Sequence, residues 1–177
     1  MATYVAFLRA INLGPTRRFP KADIVAAAEA AGGSDVATWI NTGNVRLDLP
    51  LRSRASVEQA LERAFAADRG FAVPTIVFTP GELRAIGDDV AEFGDGHDGR
   101  HYVSLLKGAP SAAGREVVEQ AGGDHERAFV RGRAVHLLLG ADYRTATLTN
   151  AAVEKHLGVA TNRNATVITK LADTWGG

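Results

Sequence analysis

The stretch Trp39-Ile40-Asn41-Thr42-Gly43-Asn44-Val45 constrains the chain most: an apolar segment breaks into four small or polar residues and then resumes. Asn-Thr-Gly-Asn supplies turn chemistry, with Gly43 free to take positive φ, and so predicts the tip of a β-hairpin. Two carboxamides and a hydroxyl are more than a turn requires. The tip is therefore a candidate binding edge, beside the plainer account in which these groups only close the turn.

The flanking segments follow a recognisable order. Residues 3–9 alternate and are rich in β-formers, which predicts a strand, and residues 10–19 form a loop. Pro20 suits the first position of a helix with Ile24, Ala27, Ala28 and Ala31 on one face, ended by Gly32-Gly33. Residues 36–41 and 44–49 are the hairpin strands. Ser53 or Ser56 opens a helix with Val57, Leu61, Ala64 and Phe65 inward and Gly70 at its end, and residues 73–78 are a fourth strand. The order β-α-β-β-α-β is the ferredoxin-like split βαβ pattern, in which the first strand lies antiparallel to the third. Arg9, Asn12, Arg17 and Arg18 then gather near Asn41, Thr42 and Asn44, with the positive end of the first helix among them.

The second half repeats the pattern. Thr79-Pro80-Gly81-Glu82 has capping-box spacing and predicts a short helix through Ile86, then an acidic, glycine-rich loop over residues 88–100. A strand (101–106), a helix (112–121, with Val117, Val118 and Ala121 inward) and a hairpin (128–130 and 134–139, around Arg131-Gly132-Arg133) come next. A helix over 147–157, closed by Gly158, and a last helix over 166–175 complete the chain. The predicted fold is α+β: two ferredoxin-like (βαββα) subdomains related by topological duplication, residues 1–79 and 80–177, without an alignable sequence repeat.

Composition removes several classes of function. A chain of 177 residues can bury about 70% of its unfolded surface and needs no staples. The absence of cysteine excludes disulfides, thiolate metal sites and cysteine nucleophiles, and fits a reducing compartment. The apolar run from Met1 has no basic region ahead of it and ends at Arg9, so no signal or membrane segment is expected and a cytoplasmic location is. Lys plus Arg and Asp plus Glu both number 20, which argues against nucleic acid as a partner. Charge is nonetheless uneven: Arg9, Arg17, Arg18 and Lys21 stand in residues 1–22 with no acid, whereas residues 81–126 hold ten acids against four cations.

Gly94-Asp95-Gly96-His97-Asp98-Gly99 matches G-x-G-x-x-G but precedes a strand and places two carboxylates where pyrophosphate would lie, so it is not a dinucleotide site. A divalent-cation loop through Asp95, His97 and Asp98 lacks the ligand spacing; a surface loop is the better account. The five histidines show no zinc spacing, and His101 and His136 fall in strands as satisfied structural residues. Neither a nucleophile elbow nor a P-loop is present. No metal or cofactor is expected.

A second polar stretch runs from Leu148-Thr149-Asn150 through Glu154 and His156 to Ala160-Thr161-Asn162-Arg163-Asn164. Thr147 or Thr149 and Asn164 suit helix caps. Arg163, just ahead of a helix N-terminus, opposes the helix dipole and calls for an anion or a carboxylate, with Lys170 a second charge if it faces the same way.

Four separated motifs resemble the DUF1697 family: Leu8-Arg9-Ala10-Ile11-Asn12, Asn41-Thr42-Gly43-Asn44-Val45, Leu148-Thr149-Asn150 with Glu154 and Leu157-Gly158, and Ala160-Thr161 with Arg163-Asn164 and Lys170-Leu171. The resemblance implies an α+β fold of two related subdomains and brings no established reaction or substrate. Ala10 stands where family members usually have glycine, Gly14-Pro15 where they have two glycines, Asn41-Thr42 where they often have Gln-Ser, Thr147 where a lysine is common and Ala165 where a tryptophan is. The leading expectation is a binding protein for a small anionic or phosphorylated molecule, using Arg9, Asn12, Asn41, Thr42 and Asn44, joined by Asn150, Arg163 and Lys170. Three alternatives stand beside it: an enzyme with Glu154 or His156 as acid or base, polar motifs that are purely structural, and RNA or single-stranded DNA on an open sheet face. Oligomeric state is not encoded legibly.

Overall fold

The alternating start of the chain forms β1 (Ala2–Leu8) in a computed structural model that describes residues 1–41 and 43–177. Then come α1 (Lys21–Ala30), β2 (Ser34–Trp39), β3 (Asn44–Leu49), α2 (Arg54–Arg69) and β4 (Thr75–Phe78). The sheet order is β2-β3-β1-β4, with every neighbour antiparallel. Local chemistry sets the ends: Ser53 accepts from the N–H of Ser56 to open α2, and Gly70, at φ 74°, closes it. Tyr4, Ala6, Leu8, Val45, Leu47 and Leu49 point to one face of the sheet, where Ile24 and Ala28 of α1 and Val57, Leu61 and Phe65 of α2 cover them. Phe19 meets Phe65 edge to face at 5.3 Å.

The second set comprises α3 (Pro80–Gly94), β5 (Arg100–Leu106), α4 (Ala112–Gln120), β6 (Glu126–Arg131), β7 (Ala134–Leu139), α5 (Asn150–Leu157), β8 (Ala160–Asn164) and α6 (Ala165–Trp175). Its sheet order, β6-β7-β5-β8, repeats that of the first. Compact units comprise Met1–Leu83 with Trp175–Gly177, and Arg84–Thr174. Val118, Val130, Val135, Leu137, Val153 and Leu157 form the helix-side core of the second unit.

The α+β class and the duplication stand, with four local corrections. The Thr79–Glu82 capping box forms as predicted, but α3 runs on to Gly94, so half of the expected loop is helical. Residues 160–164 form a strand, which makes the second unit βαββαβ rather than βαββα. Val117 is 45% exposed and Ala121, past the end of α4, is exposed too, while Gly114 takes the inward position on α4 beside the His156 carbonyl. Thr147 is not helical; Thr149 caps α5, and the Glu126 carboxylate receives the Thr147 and Leu148 amides.

Both units protect sheet edges in the same way. Glu58 and Glu62 of α2 accept the amides of Val77 and Thr75 on edge strand β4, at 3.0 and 2.9 Å. In the second unit, Glu119 of α4 accepts from Val130 on edge strand β6, and Glu154 of α5 from Ala160 on edge strand β8. Carboxylates on the covering helices thus satisfy amides that pairing leaves open and block strand addition.

Candidate functional site

The first polar cluster is built by the register of β1 against β3. Phe7 stands opposite Asn44, and the Leu8 amide donates to the Gly43 carbonyl, so the end of β1 reaches the hairpin tip. Gly43 is required there: at φ 77°, an added Cβ would lie 2.7 Å from Leu8 Cβ and 2.9 Å from Ile11 Cδ1. The chain then turns through left-handed residues at Ala10 (φ 57°) and Asn12 (φ 55°).

Asn12 is the joint. Its Oδ1 accepts the Phe19 amide at 2.9 Å, and its Nδ2 donates to the carbonyls of Phe19 (3.3 Å) and Asn41 (2.8 Å). The loop from Leu13 to Arg18 is thereby closed on itself and tied to the hairpin. Arg17 is also committed, donating to the Ala10 and Ala72 carbonyls and lying 4.5 Å from the centre of the Phe71 ring. Its charge serves packing.

These ties leave an open recess of about 830 Å³ lined by Asn12, Pro15, Arg18, Pro20, Lys21 and Asn41 among others. The N-cap of α1 is Pro20, which makes no side-chain cap, so the first turn presents amides toward this end of the sheet. Asp23, the acid of that turn, is directed to Arg69 at 2.9 Å. Among the described residues, no carboxylate pairs with Arg18 or Lys21.

The other expected residues occupy different settings. Arg9 follows β1, and its amide donates to the Pro74 carbonyl. Asn44 is fully buried, with its Nδ2 on the Trp39 carbonyl at 3.0 Å. Thr42 lies outside the described residues. Asn150, Arg163 and Lys170 belong to the second unit. Asn150 accepts from Ser104 Oγ at 2.9 Å and donates to the Ala160 carbonyl at 3.0 Å, joining α5 to two strands. Arg163 is in β8 rather than in a loop; its guanidinium donates to Thr161 Oγ1 and the Asn162 carbonyl, and burial draws its pKa down to about 10. Lys170 and His156 are exposed.

In the second unit, His101 Nε2 and His136 Nδ1 share a 3.1 Å hydrogen bond across β5 and β7. His136 is wholly buried and its Nε2 has no partner among the described residues, so it is not the satisfied histidine that its strand position implied. Burial depresses both rings, His101 to about 4 and His136 to about 3. His97 Nε2 is held by the Arg100 and Leu139 carbonyls, which makes the glycine-rich segment a tied loop. Among the described residues, no three His, Asp or Glu side chains are grouped to hold a metal ion, and no helix is long and apolar enough to cross a membrane.

Further strand residues are buried on the side of the first sheet away from its helices, Val5 and Phe7 of β1 with Ile76 and Phe78 of β4, as are Val103, Leu105, His136 and Leu138 in the second sheet.

Two four-stranded sheets of the same topology, each carrying helices, define a duplicated α+β protein of the ferredoxin-like type. Residues 1–136 match the family described as "Protein of unknown function (DUF1697)", and the chain belongs to that family. Its fold is similar to that of the conserved bacterial protein SP0830 from Streptococcus pneumoniae, with a TM-score of 0.72 at 18% identity, covering 100% of this chain and 99% of that one. No curated protein matches the chain.

Proposed function

We propose that this DUF1697 protein binds a small anionic or phosphorylated molecule in the recess of the first unit. The observation that carries the reading is the meeting of Arg18, Lys21 and the N-terminus of α1, which has no side-chain cap, at one open recess. Helix amides and a guanidinium fork both suit phosphate or carboxylate. In this reading Arg18 and Lys21 supply charge. Asn12, Asn41 and Asn44 fix the hairpin and loop that shape the recess. A cytoplasmic location belongs to the same reading and is supported by the absence of cysteine.

For the C-terminal motif, the structural alternative is favoured. Asn150 uses its carbonyl and its amide on Ser104 and Ala160, and Glu154 receives the Ala160 amide. These bonds give Asn150 and Glu154 the task of holding α5 to its sheet.

The test is a two-dimensional NMR titration of the intact chain with inorganic phosphate. Shifts concentrated at Arg18–Ala22, Asn12 and Asn41, weakened at least tenfold by Arg18→Glu with Lys21→Glu, support the reading. Unmoved resonances at phosphate concentrations of tens of millimolar refute it.

A further inference from the structure

Two apolar residues with exposed surface are chain neighbours of residues that line the recess. Leu13, 65% exposed, lies between the lining residues Asn12 and Gly14, and Ile40, 39% exposed, precedes the lining residue Asn41. The bond from Asn12 to the Asn41 carbonyl brings their two loops together. Ile40 also has φ 52°, a conformation that β-branched residues rarely adopt and in which asparagine or glycine is at ease. Folding therefore gains less from isoleucine here than at a core position: its side chain is partly outside the core and its backbone is strained. A strained backbone with an exposed apolar side chain is an outlier of the kind found at ligand contacts.

The recess has more room than a bare oxyanion needs; about 830 Å³ falls within the roughly 300–1,000 Å³ range of small-molecule sites. Pro15 and Pro20 add apolar surface to its lining. We infer that the anion arrives as part of an amphipathic small molecule, its phosphate or carboxylate facing Arg18 and Lys21 and its apolar portion lying over Leu13 and Ile40. The inference rests on the anion-binding reading above and adds the chemical class of the ligand. Charge fixes one end of such a molecule, and apolar contact supplies affinity that inorganic phosphate lacks.

Inorganic phosphate and monomeric hexyl phosphate, titrated into the intact chain and followed by NMR and calorimetry, separate the two claims. The expected result is hexyl phosphate binding roughly tenfold or more tightly than phosphate, as the burial of several methylenes requires. Ile40→Asn with Leu13→Ser should remove most of that gain while leaving the affinity for inorganic phosphate unchanged. Ile40→Asn suits the left-handed backbone, and a melting temperature at or above that of the parent shows that the fold is intact. Equal affinities for the two probes, or a gain that survives both substitutions, overturn the inference and leave the anion site standing. Binding only to vesicles of anionic phospholipid, with no gain for the monomeric probe, overturns it as well. If neither soluble probe binds, the anion-binding reading falls, and this inference falls with it.

Discussion

Asn12 donates from Nδ2 to the carbonyl of Asn41, 2.8 Å away and 29 residues along the chain. The same amide group holds both the N–H and the carbonyl of Phe19, so one side chain fixes the exit of β1, the start of α1 and the hairpin tip. Asn12→Ala should cost about 1–3 kcal/mol of stability, from carbonyls left without a donor and a Cβ residue other than asparagine held at positive φ. Urea unfolding checks the loss, and Asn12→Asp, which retains only the acceptor, should fall between Ala and the parent.

Ala10 adopts φ 57° without a side chain that can bond locally. Glycine removes that strain, so Ala10→Gly should stabilise the chain by up to about 1 kcal/mol, the relief being partly offset by the greater freedom of an unfolded glycine. Thermal unfolding measures the net sign. A lower melting temperature would show that the left-handed turn is not strained.

The His101–His136 pair sets a pH dependence. Both rings have folded-state pKa values below the ordinary 6.5, near 4 and near 3, so the unfolded chain takes up protons first as the pH falls. Their contribution is complete above about pH 6.5 and is lost as the pH descends toward those lower values, with a slope of at most about 1.4 kcal/mol per pH unit for each ring. His101, only part-buried, contributes less than that limit. Glu92, Glu119 and Glu126 are held below the usual carboxylate value and act only below about pH 4.5. Denaturant midpoints should therefore fall between pH 6.5 and pH 5 in the parent, and much less in His136→Leu. Parallel curves for the two proteins would refute the assignment.

Asn150 separates structure from recognition. Removing its carboxamide takes the acceptor from the fully buried Ser104 hydroxyl and the Asn150 donor from the Ala160 carbonyl. Asn150→Ala should destabilise by about 1–3 kcal/mol and leave phosphate affinity at the first unit unchanged. An affinity loss at constant stability would instead mark Asn150 as a ligand contact.

Much of the architecture was legible because its signals are local. Alternation marked β1, helical spacing marked Val57, Leu61 and Phe65, and Ser53, Gly70, the Thr79–Glu82 pair and Thr149 sit within a few residues of the groups they cap. Where the prediction failed, distant groups decided. The polar segment 160–164 has little strand character of its own and becomes β8 because β5 pairs with it from Tyr102 to Leu106.

The order of elements and their repetition were thus written in neighbouring residues, as was the concentration of cations ahead of α1. Which polar groups remain for a ligand was not, because saturation depends on partners far along the chain: Asn150 meets Ser104 46 residues away, and Arg17 meets Ala72 55 residues away. Tertiary packing turned Asn44, Asn150 and Glu154 inward to backbone or buried partners and left Arg18 and Lys21 at an open recess, since hydrogen-bond satisfaction is settled only when the chain has closed on itself.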